Sequence, residues 1–87
     1  MSIMPKDLLK LVEILQASLD AEYFGFVSDE IDQIIEDSSG QRARLLALRT
    51  VVRKLGLATP ILANSTCDDI DRLDAAIEVQ LRTVFDA

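Results

Sequence analysis

Cys67 is the one soft nucleophile in 87 residues, and no histidine is present to serve as its base. A helix start can acidify a thiol, but Asp68 and Asp69 beside Cys67 favour the neutral form. With those influences opposed and no base at hand, Cys67 reads as a small, partly buried side chain. Carboxylates are the next candidates. Asp29, Asp32 and Glu36 share one helical face, and Asp68, Asp71 and Glu78 share another, a donor set suited to a hard cation. Neither stretch has an Asp-x-Asp-x-Asp-Gly calcium loop, and without histidine no transition-metal site can be completed. Both stretches therefore read as solvated acidic faces, and the chain as a non-enzyme with no cofactor and no metal centre.

The basic residues are segregated. Arg42, Arg44, Arg49, Arg53 and Lys54 crowd into one stretch of a chain whose net charge is −6. Guanidinium forks match phosphate geometry, and the Ser38-Ser39-Gly40 break before this stretch looks like a helix-turn-helix, so a DNA-binding regulator is the alternative function. Two features count against it. The global negative field repels phosphate backbones and anionic lipid, and the preceding segment carries Asp29, Glu30, Asp32, Glu36 and Asp37. Pairing of Arg42, Arg49 and Arg53 with acids on a neighbouring helix or a partner protein is the favoured reading.

These groups must be positioned by helices, because apolar residues recur at helical spacing almost from end to end. In the first helix Leu8, Leu11, Val12, Leu15 and Leu19 form a stripe, with Pro5 suited to the opening position and Leu9 and Ile14 outside the arc. Gly25 is expected to take the left-handed conformation that ends this helix, and Ser28 to cap the next, ahead of Ile31, Ile34 and Ile35. A third helix carries Leu45, Leu48, Val51, Val52 and Leu55, and Gly56 stops it. Pro60 prevents the connector from continuing as helix, with its Ile61 and Leu62 expected in the core. Thr66 and Asp69 fit a capping box at the start of the last helix, whose stripe is Ile70, Leu73, Ile77, Leu81 and Val84, with Phe85 on its margin. The fold expected is all-α, a small four-helix bundle of unequal helices over about 5–23, 29–37, 41–55 and 66–85, in a single helical domain, 1–87.

Asp37-Ser38 resembles the attachment site of the acyl carrier proteins, which are also small, acidic and four-helical and carry phosphopantetheine on a Ser within Asp-Ser-Leu. Here Ser39 follows and the long loop such carriers place before the motif is missing, so the likeness ends at two residues and carries no function.

Composition narrows the partner class. With 49% hydrophobic and 28% charged residues the chain is too apolar for disorder and too often interrupted by charge for a membrane span. The lone cysteine suits a reducing compartment, and Met1 to Asp7, with Pro5 and an acid, lacks a secretory signal, so a cytoplasmic protein of bacterial or phage style is expected. Four amphipathic helices in so short a chain carry more apolar surface than one core can hide. The expected function is a small protein-interaction module, as regulator, adaptor, inhibitor or secretion-chaperone-like subunit. Its partner is a protein, a second copy forming a homodimer included. The expected contact residues are Tyr23, Phe24, Phe26 and Val27 at an aromatic corner, with Arg42, Arg49 and Arg53 at the rim.

Overall fold

The helical periods close into a ring of four helices. The computed structural model describes residues 5–37 and 40–86, less the side chains at 59 and 84–86. Its elements are α1 (Lys6–Ala21), α2 (Gly25–Glu36), α3 (Gln41–Gly56), a 3-10 turn (Thr59–Ile61) and α4 (Asn64–Asp86). Each helix packs on its chain neighbours and α1 also packs on α4, the up-down-up-down order that short connections impose. No strand occurs among the described residues.

The stripes meet in one core. Leu8, Val12, Leu15 and Leu19 of α1 are buried against Ile31 of α2, Leu45, Leu48, Val52 and Leu55 of α3, and Ile70, Leu73, Ile77 and Leu81 of α4. The radius of gyration, 12.4 Å, is close to the roughly 12 Å of a compact chain this long. Leu62 plugs one end of the bundle, as expected of the connector, but Ile61 is 71% exposed, because the 3-10 turn carries it outward. Val84 and Phe85 lie outside the described side chains, and Ser38 and Ser39 outside the described residues.

Three boundary expectations are corrected by tertiary contacts. Tyr23, not Gly25, takes the left-handed conformation, with φ 67°. The Phe24 N–H donates to the Leu19 carbonyl at 2.8 Å and the Tyr23 N–H to the Asp20 carbonyl at 3.4 Å, a Schellman closure that ends α1 two residues earlier than expected. This register packs Phe24 against the core, which offsets the roughly 1–2 kcal/mol cost of a left-handed non-glycine residue. Gly25 therefore opens α2, four residues ahead of the expected start at 29. Ser28 is buried inside the helix and caps nothing; its carbonyl accepts a 3.0 Å hydrogen bond from Gln16 Nε2.

The third correction concerns α4, which begins at Asn64 rather than 66. Thr66 is buried and donates its hydroxyl to Glu22 Oε2 instead of closing a capping box, while Asp69 accepts from the Ser18 hydroxyl at 3.2 Å. Glu22 Oε1 accepts the Ala63 N–H at 2.7 Å, so a carboxylate from the end of α1 caps the start of α4 and satisfies the positive end of its dipole. Those two donors, Thr66 first and Ala63 second, hold the Glu22 carboxyl below its ordinary value of 4.5. A depressed folded-state value means the contribution is complete above pH 4.5 and is lost as the pH falls through the lower folded-state value. Thermal melts below pH 4.5 are accordingly expected to fall more steeply for the wild type than for Glu22→Gln. Their midpoints should converge in acid, and parallel curves would remove the cap from this account.

Candidate functional site

The corner and the connector lie at the same end of the bundle, tied together by Glu22, and a cleft of about 230 Å³ lies there between α2 and α3. One wall is the start of α2, with Phe24, Phe26 and Val27; the other is the end of α3, with Val51 and Leu55 on one helical face and Ala58 in the turn that follows. Two charges stand on the lip, Glu30 on the α2 wall and Lys54 on the α3 wall, both exposed. The Phe24 and Phe26 rings are 5.9 Å apart between centroids and tilted by 41°. Phe24 rests on the core while Phe26 is 68% exposed, so the pair reaches from the interior to solvent.

A wider and more open depression of about 470 Å³ adjoins the cleft across Lys54, lined also by Arg49, Thr50, Arg53 and Leu57. Its two arginines are engaged by α4. Arg53 Nη2 and Arg49 Nη1 lie 2.8 and 3.4 Å from the same Glu78 oxygen, and Arg53 Nε lies 3.7 Å from Asp74 Oδ1. These are the acid pairings expected for Arg49 and Arg53; as part-exposed pairs each contributes about 0–1 kcal/mol, enough to fix the α3–α4 register but not to hold the fold.

No protein-family model matches the chain, and no curated protein or solved structure matches it.

Of the residues expected to form a contact surface, Phe24, Phe26 and Val27 do meet in the cleft, though Val27 is buried and belongs to the core. Tyr23 is 93% exposed beside it at the turn. Arg42 is exposed near the start of α3, twelve residues and roughly 18 Å of helix before Lys54, so it is not brought to the cleft. Sequence reasoning missed the opposite wall, because Val51 and Leu55 read simply as core. It also missed Leu57, which follows Gly56 at the exit from α3 and is 85% exposed.

Glu30 and Lys54 are the cleft's ionisable lining residues, and Cys67 lies half-buried in the first turns of α4. Among the described residues no three Asp, Glu, Cys or His side chains come together as metal ligands. On the two acidic faces Asp29, Glu36, Asp68 and Asp71 are exposed, while Asp32 accepts from Gln16 Nε2 at 2.7 Å and Glu78 receives the two arginines. No described helix is long and apolar enough to cross a membrane.

Proposed function

We propose that this protein is a non-enzymatic interaction module that receives an apolar side chain of a protein partner in the cleft between α2 and α3. The observation carrying this reading is the Phe26 ring, 68% exposed on the wall of an apolar cleft whose other wall is also aliphatic. Leaving most of a ring in water forgoes about 25 cal/mol for each Å² that packing would cover, and exposed apolar patches mark partner sites. At about 230 Å³ the cleft lies below the roughly 300–1,000 Å³ of small-molecule sites, and its lining offers no convergent polar groups to orient a metabolite. It suits one or two anchoring side chains, with charges at the rim to set orientation.

The DNA reading loses ground at Glu78. Phosphate contacts through Arg49 and Arg53 would have to displace a carboxylate already bound to both, and the acidic α2 flanks the same helix.

A photoreactive phenylalanine analogue at position 26 tests the proposal in the source cell. Irradiation is expected to join position 26 to a protein, whereas the same probe at Lys10, exposed on α1, which contributes no residue to the cleft, is expected to give no such product. With the probe moved to position 30, Phe26→Ala should abolish cross-linking while costing under about 1 kcal/mol of stability, because most of the ring is already in water. Absence of any protein adduct from position 26 overturns the reading.

A further inference from the structure

Resting on that reading, we infer that the occupant of the cleft is a second copy of this chain, docked face to face about a twofold axis through the α2–α3 cleft. An isologous contact needs a surface that is its own complement, so that whatever lies on one side of the axis finds its counterpart on the other. The two walls of this cleft differ in that sense. The α2 wall carries the protruding ring, Phe26, and an acid, Glu30; the α3 wall carries the aliphatic surface of Val51, Leu55 and Ala58 and a base, Lys54. A half-turn about an axis between them sets Phe26 against the second copy's α3 wall and Glu30 against the second copy's Lys54, twice over.

The rim charges add a separate indication. Arg49 and Arg53 are tied to Glu78 and Asp74, whereas neither Glu30 nor Lys54 has an ion pair among the described residues. One acid and one base therefore flank an uncovered apolar surface. Opposite charges on the two lips let this surface pair with itself about the axis, whereas like charges there would repel a second copy. Two chains of charge −6 repel at a distance, so the apolar burial supplies the attraction and the paired lips select the register.

The full chain can be tested by sedimentation equilibrium from about 1 µM to 1 mM, a range that covers a contact of this modest size. The mass is expected to rise from 9.6 kDa toward twice that value. Glu30→Lys and Lys54→Glu should each weaken association at least about tenfold, because each places like charges across the axis at two points. Mixing the two variants should restore it, since a mixed dimer carries one unchanged Glu30–Lys54 pair and one pair with its signs exchanged. Circular dichroism melts, and the neutral variants Glu30→Gln and Lys54→Gln, guard against a folding artefact; both residues are exposed, so unchanged melts are expected.

A constant monomer mass up to about 1 mM overturns the inference, as does a dimer indifferent to both charge reversals or not rescued by mixing. A monomer whose position 26 cross-links to a different protein overturns the second copy and leaves the interaction module standing. No adduct at all removes both.

Discussion

Leu15→Ala is expected to lower the free energy of unfolding by about 3–4 kcal/mol and the melting midpoint by on the order of 15 °C. Leu15 has no exposed surface, sits at the middle of α1, and faces the core where α1 meets both α2 and α4. Truncation there removes transfer free energy and leaves a cavity between three helices that cannot collapse without separating one of them. A domain of 87 residues has on the order of 4–13 kcal/mol in total, so this one change takes a large share of it. Leu15→Met, which nearly conserves volume, should cost under about 1.5 kcal/mol. The neighbouring Ile14→Ala, on a half-exposed side chain, should cost under about 1 kcal/mol. Urea unfolding of the three variants checks the ranking, and equal losses at positions 14 and 15 would mean that α1 presents a different face to the core.

That ranking was legible before any coordinates, because a period of 3.6 residues is written directly in Leu8, Val12, Leu15 and Leu19, and again in Ile70, Leu73, Ile77 and Leu81. The corners were not legible, for one physical reason. Ser28 and Thr66 have the right chemistry and neighbours for helix caps, and cap patterns are local. The contacts that reassign them are not local: Thr66 answers to Glu22, 44 residues away, and the Ser28 carbonyl to Gln16, 12 residues away on another helix. Likewise glycine is the favoured left-handed residue, yet Tyr23 takes that place because only this register lets Phe24 seal the end of α1. The site was half legible. Phe24 and Phe26 drew notice as aromatic residues at a corner, but the wall facing them is made of α3 residues whose spacing is that of any core stripe. Arg42, Arg49 and Arg53 share a flank of α3, and spacing alone cannot say that the cleft opens at one end of that helix and leaves Arg42 at the other.

Ile31→Ala should cost about 2–4 kcal/mol as well, but the loss is expected to be confined to α2. This helix has 12 residues against 16, 16 and 23 in the others, and a helix that short has little stability of its own. Ile31 is its one side chain with no exposure; Val27 retains some, and Ile34 and Ile35 are half-buried. The polar anchors are Gln16, whose amide bonds Ser28 and Asp32, and Arg44, whose Nη1 donates to the Ile35 carbonyl at 3.1 Å; each such bond adds only about 1 kcal/mol. The remaining helices keep their own interfaces, α1 on α4 and α3 on α4, so the variant should open α2 as a unit while the rest stays folded. Hydrogen exchange should then show amides of 25–36 exchanging by an opening well below the global free energy, with α1, α3 and α4 nearly unchanged. Because α2 supplies the Phe26 wall and Glu30, the same opening dismantles the cleft, and association or cross-linking through position 26 should fall with the population of the open state. Exchange that accelerates equally in all four helices would show instead that α2 is inseparable from the core, and that no binding surface on it can be weakened without unfolding the protein.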